Sequence, residues 1–111
     1  FENVNDKLIS GGEKSNIKIS KVNAINSKSG IISKDGSKVY SNDISFKGVQ
    51  IPFAAYQKKK EYNHGLLIVK DFTLDNFLVK FVKDDKSKIV LDDLMQNNDN
   101  NNKKMLSVVN Q

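Results

Sequence analysis

Cysteine is absent from the sequence, arginine is absent, and histidine and proline occur once each. Each gap removes a class of chemistry. Without cysteine there is neither a disulfide scaffold nor a thiolate metal site. A single imidazole, His64, leaves little with which to hold a transition metal. All 18 basic residues are lysine. The planar guanidinium fork that reads phosphates and base edges is therefore missing, as is the strong base that sugar-acid chemistry often uses. Alanine and leucine are scarce while Ile, Val, Ser and Asn are plentiful. That balance disfavours helices and suits strands joined by turns. No apolar run approaches the roughly 18 residues of a membrane-spanning helix, and no signal-peptide pattern is visible. The chain begins with Phe1, so the expectation is a processed chain, an excised domain or a fragment of something longer.

What is present fits one domain of 111 residues with a net charge of +5. The charge raises the question of nucleic acid. Yet the lysines are scattered along alternating stretches with Asp nearby, which reads as a solvated lysine-rich surface rather than a nucleic-acid footprint.

Internal repetition organises the chain. Shifted by 22 residues, Ile9 falls on Ile31 and Ile31 on Phe53, Ser15-Asn16-Ile17 on Ser37-Lys38-Val39, and Val22 on Ile44. Six extra residues then intervene before the match resumes, with Val39 on Leu67 and Ile44 on Phe72. A last shift of 22 takes Leu67 to Ile89, Asp71 to Asp93 and Phe72 to Leu94. Four turns of one pattern result, over residues 6–27, 28–49, 50–74 and 75–96. Each supplies three apolar points on short alternating strands, the mark of half-buried β-structure. No such strand buries a core alone. Stacked about 4.8 Å apart, with each strand parallel to its equivalent in the next turn, they form a parallel β-helix. Its core is three columns: Ile9-Ile31-Phe53-Phe81, Ile17-Val39-Leu67-Ile89 and Val22-Ile44-Phe72-Leu94. An antiparallel sandwich or barrel with accidental likeness between strands is the alternative.

Gly11-Gly12 and Asp35-Gly36 suit the corners between the first and second strands, because glycine takes positive φ without penalty. Asp84-Asp85 lacks the glycine and predicts a looser corner. Asn23, Asn26, Asn42 and Asn76 lie near other corners, where Asn adopts left-handed backbone readily. The six extra residues belong to an insertion, Gln57 to Gly65. Loops on a repetitive scaffold are where function is usually carried. This one gathers Lys58, Lys59, Lys60, Tyr62 and His64 beside Tyr56. These residues fit a contact site for an anionic or sugar ligand, with the tyrosine faces as stacking platforms. They equally fit a solvated loop with a tyrosine packed on the wall. Residues 1–96 thus form the repeat, 97–104 read as an Asn/Lys-rich mobile loop, and 105–111 as a capping strand or the start of a following segment.

The phrases Gly30-Ile31-Ile32-Ser33-Lys34-Asp35-Gly36-Ser37-Lys38-Val39 and Phe53-Ala54-Ala55-Tyr56-Gln57-Lys58-Lys59 resemble right-handed parallel β-helix repeats of the pectate-lyase-like type. In particular they resemble those of large bacterial surface or secreted proteins that also carry CotH-like kinase domains. The resemblance covers about residues 1–96. It implies an all-β right-handed solenoid of about four turns, the C-terminal part of a longer coil with adjoining turns, and an extracytoplasmic setting. It transfers no catalytic residue.

Asp43, Asp71 and Asp93 recur at one point of successive turns. Aligned carboxylates at that spacing could hold Ca²⁺ with neighbouring carbonyls, or could be exposed corner residues balanced by lysines. No nucleophile–base–acid set is visible. The expectation is a non-enzymatic surface module, a rigid spacer or a scaffold binding polysaccharide or another surface protein. Its rivals are a fragment of a polysaccharide-active lyase or hydrolase with catalytic residues elsewhere, and a lysine-rich nucleic-acid contact.

Overall fold

Two sequence patterns give two kinds of strand. Segments such as Ile51–Tyr56 are apolar or small throughout, as in strands buried on both faces. Segments such as Lys38–Lys47 alternate, as in strands with one face solvated. The structure is a computed structural model that describes residues 1–4, 6–98 and 105–106. Along the chain lie β1 (Lys7–Gly11), β2 (Asn16–Ile25), β3 (Ser29–Lys34), β4 (Lys38–Lys47), β5 (Ile51–Tyr56), β6 (Leu66–Asp75), β7 (Phe81–Lys83), β8 (Lys88–Leu91) and β9 (Leu94–Met95). They form an all-β arrangement of two sheets, ordered β1-β3-β5-β7 and β2-β4-β6-β8-β9. Every strand pair is parallel except β8–β9.

The registers carry the repeat. Ile9 pairs with Ile31, Ile31 with Phe53, and Phe53 with Phe81. Ile17, Val39, Leu67 and Ile89 pair in the same succession, as do Val22, Ile44 and Phe72. These side chains meet between the sheets in one cluster, with Ile31, Val39, Phe53, Leu67 and Ile89 fully buried and Ile9, Ile17 and Phe72 packed at its margin. Phe53 lies edge-on to Phe72, with ring centroids 5.5 Å apart at 82°. Such geometry adds to the area term. The serines that accompany the column are also buried. Ser33 Oγ donates to the Ser37 carbonyl at 3.0 Å, and Ser37 Oγ donates to the Gly11 carbonyl at 2.9 Å. Their hydroxyls thus satisfy corner carbonyls that the ladder leaves over.

Each sequence repeat contains two strands rather than the three expected, because the second and third run together. The join is marked by one left-handed residue inside β2, β4 and β6: Lys21, Asp43 and Asp71, with φ of 60, 60 and 53°. The paired ladder skips these positions, passing from Asn42↔Lys70 to Ile44↔Phe72. The chain bends there without breaking its pairing. A further corner follows each long strand at Asn26, Gly48 and Asn76, again all with positive φ. The corner between short and long strands is left-handed at Asp35 and Gly36 as expected. In the first turn, however, it falls on Glu13 and Lys14 rather than on Gly11 and Gly12.

The fourth turn ends differently from expectation. Asp92 and Asp93 both have positive φ, at 48 and 68°, as a two-residue hairpin demands. The chain therefore reverses, and Leu94 pairs antiparallel with Leu91. Leu94 is 68% exposed, so it does not complete the Val22-Ile44-Phe72 column. Of the expected capping segment, 105–111, only Met105 and Leu106 are among the described residues. Met105 and Leu106 are not strand. They pack on Ile32, Ala54, Tyr56 and Val82, the outward side of the β3-β5-β7 sheet. That cover explains why this sheet is apolar on both faces. Residues 99–104 and 107–111, including most of the expected Asn/Lys-rich loop, lie outside the described residues. No helix among the described residues is long and apolar enough to cross a membrane.

Candidate functional site

The insertion connects β5 to β6 and contains no strand between Gln57 and Gly65. Its position is fixed from both sides by aspartates of the neighbouring repeats. Asp35 is buried, and its Oδ1 accepts the backbone N–H groups of Lys58 and Lys59, each at 2.7 Å. Asp84 acts from the opposite side. Its Oδ2 accepts the Gln57 N–H at 2.7 Å and lies 3.1 Å from His64 Nδ1, while its Oδ1 accepts the Ser87 N–H at 2.8 Å. The corner at Asp84 is therefore tied down rather than loose.

Asp84 holds its proton less tightly than an ordinary aspartate. Burial pushes its pKa up, but hydrogen bonds from Ser87, Gln57 and His64 together outweigh burial and hold it below the usual value. A carboxylate that accepts several N–H groups stays ionised, and the ionised form binds them more strongly.

The loop is also closed internally. Gln57 Nε2 donates to the Tyr62 carbonyl, and Tyr62 N–H donates to the Lys59 carbonyl at 3.1 Å. At its end the backbone of Gly65 passes hard against β3. A Cβ there would stand 2.1 Å from the Ser33 carbonyl oxygen, so no side chain fits. Gly65 N–H donates to Ser87 Oγ at 3.0 Å, and its carbonyl accepts Lys88 N–H at 3.0 Å.

The expected site residues divide. Lys58, Lys59 and Lys60 are exposed, and Tyr62 and His64 are half-buried. Lys59 forms an ion pair with Glu13, whose hydrogen bond and charge raise the lysine pKa. Lys14 Nζ lies 5.9 Å from the Tyr62 ring centroid, within cation–π reach, and so covers part of that ring. Tyr56 is the exception. It is 1% exposed and packs with Ile32, Val82, Met105 and Leu106, so it offers no stacking face to a ligand. Its place at the end of an all-buried strand determines this, not its proximity to the loop. Burial, aided by the charges of Asp35 and Asp6, pushes its pKa up to about 12.

Asp43, Asp71 and Asp93 are not gathered into a ligand set. The first two are the left-handed corner residues of β4 and β6, and Asp93 belongs to the terminal hairpin. Asp71 N–H donates to Asp92 Oδ1 at 2.9 Å, and Asp93 Oδ1 is 3.5 Å from Lys70 Nζ. Among the described residues no three carboxylate or imidazole groups stand close enough to hold a metal ion.

Asp35 and Asp84 read in the sequence only as corner residues, and nothing there marks them or Glu13 as the residues that position the loop. They are distant in the chain, and only the parallel pairing of strands brings them to it. The signal present was an acid at or beside the corner of turns one, two and four, flanking the one turn where the corner is replaced. Compared with known proteins, the chain matches no family model, no curated protein and no solved structure.

Proposed function

We propose that the chain is about four turns of a right-handed parallel β-helix and works as a non-enzymatic extracytoplasmic module, a rigid scaffold that presents the Gln57–Gly65 loop to an anionic glycan. The offset of paired strands, 22 residues except for the 28 across the insertion, and the left-handed residues at three recurring corners support the coiled reading. The observation that carries the functional part is the double clamp. Asp35 and Asp84 fix the loop backbone while leaving the ammonium groups of Lys58 and Lys60 in solvent. A loop ordered before binding loses less entropy when it meets a ligand. Its lysines offer point charges to carboxylate or sulfate groups. The extracytoplasmic setting and adjoining turns follow from the resemblance of the repeat phrases.

Fluorescence anisotropy with labelled hexa-galacturonate and neutral maltohexaose tests the reading. Binding of the acidic sugar alone, weakened by salt and lost in Lys58→Gln/Lys60→Gln, is the expected result. No binding of the acidic sugar at low ionic strength, or equal binding by the variant, would overturn it. Release of new reducing ends during incubation would favour a polysaccharide-active enzyme instead.

A further inference from the structure

An open groove of about 440 Å³ lies on the outward face of the β2-β4-β6 sheet, away from the loop's clamps. Tyr40 and Ile68 contribute to its lining together with Lys18, Asn42, Lys70 and Asp71. Its composition follows from alternation and register. Side chains two apart on a strand share a face, so Lys38, Tyr40 and Asn42 point the same way on β4, as do Leu66, Ile68 and Lys70 on β6. Register then sets Lys18, Tyr40, Ile68 and Val90 in one row across four strands, with Lys38, Leu66 and Lys88 in the row beside it. Tyr40, Leu66, Ile68 and Val90 are half-buried, and the lysines are exposed. Met105 and Leu106 cover the other sheet, not this one.

We propose that this face is a docking surface for an extended acidic segment of a partner protein, in which pairs of carboxylate side chains alternate with pairs of aliphatic ones, so that the face turned to the sheet carries both kinds in turn. Three observations select that occupant. First, the apolar side chains of the two rows are mainly aliphatic. Ile68, Val90 and Leu66 present no ring on which a base or a pyranose could stack, and Tyr40 alone does; aliphatic side chains of a peptide fit such a floor. Second, the charge is complementary to carboxylates. Lys18, Lys38 and Lys88 form no ion pair among the described residues, and only Lys70 is engaged, by Asp93 at 3.5 Å. Third, the length matches a short segment. Four strands about 4.8 Å apart span roughly 14 Å, or about four extended residues. A peptide lying across the strands places its aliphatic side chains on Tyr40 and Ile68 and its carboxylates against the lysines. The lysines steer and orient, and the apolar contact holds.

The test uses the full chain and a fluorescein-labelled ten-residue peptide in which Glu-Glu pairs alternate with Leu-Leu pairs, followed by anisotropy. Saturable binding that weakens with salt is expected. It should weaken at least about tenfold in Lys18→Glu/Lys38→Glu, and likewise in Lys88→Glu, an exposed single change that guards against misfolding of the double variant. Lys58→Gln/Lys60→Gln, which alters only the loop, should leave it unchanged. That separates this surface from the glycan reading of the loop. Absence of saturable binding at low salt would overturn the proposal. So would equal binding of polyglutamate or oligothymidylate, which would mean charge alone or nucleic acid. Indifference to all the groove variants would do the same.

Discussion

Removing the buried carboxylate at Asp35 should free the loop while leaving the two sheets in place. The side chain makes two charge-assisted hydrogen bonds of 2.7 Å, to the N–H groups of Lys58 and Lys59, from a residue only 1% exposed. Hydrogen bonds to charged groups contribute about 1.5–3 kcal/mol each. Lys58 and Lys59 are exposed, so water replaces part of what is lost. With that discount the pair contributes about 2 kcal/mol, below the sum of two full bonds. Asp35 also has φ of 53°, where alanine incurs a further cost of about 1 kcal/mol. Asp35→Ala should therefore destabilise the protein by about 3 kcal/mol. Asp35→Asn keeps a side chain tolerant of that φ and a neutral acceptor oxygen, and should cost about 1 kcal/mol. Urea unfolding measures both. Trypsin reads the loop directly, since Lys58, Lys59 and Lys60 are exposed and cleavage there follows local opening. Nicking within the loop should be fastest in Asp35→Ala, intermediate in Asp35→Asn and slowest in the parent. If both variants resist trypsin as the parent does, Asp35 does not hold the loop and the argument for an ordered contact element fails.

Asp84 titrates below its ordinary value of 3.8, so its contribution to stability is present above about pH 4 and is lost as pH falls through the lower folded value; Asp84→Asn should flatten the acid limb of a stability–pH curve. Tyr56 titrates near 12 against an ordinary 10.0, so stability should decline as pH rises from 10 towards 12, and Tyr56→Phe should make that decline shallower. The same change should raise neutral-pH stability by about 1 kcal/mol, because the buried hydroxyl has no hydrogen-bond partner among the described residues. Gly65→Ala drives a methyl to 2.1 Å from the Ser33 carbonyl oxygen; a loss of about 2–4 kcal/mol in thermal or urea unfolding is expected.

The apolar columns were legible because side chains at Ile17, Val39, Leu67 and Ile89 recur at positions that only stacking makes equivalent. The insertion was legible as a break in that recurrence. Corner chemistry was harder to see. Lys21 takes left-handed backbone although lysine has no special preference for it, and the paired strands on either side hold it there. Asp43 and Asp71 looked like possible ligands for a related reason: Asp is a residue that both binds cations and tolerates positive φ. Their role emerges only once the ladder is known to skip them. Tyr56 looked like part of the loop by adjacency, yet the Met105–Leu106 contact that buries its strand comes from the far end of the chain. The terminal reversal at Asp92-Asp93 resembled one more corner until both residues proved left-handed. Long-range clamps such as Asp35 on Lys58 leave no local trace.

Nuclear Overhauser contacts between backbone protons of paired strands test the stacked arrangement most directly. The parallel registers predict a continuous ladder linking Ile17 to Val39, Val39 to Leu67 and Leu67 to Ile89, with a second linking Ile9, Ile31, Phe53 and Phe81. An antiparallel pattern among β2, β4 and β6, or Ile31 and Phe53 on unpaired strands, would contradict the account.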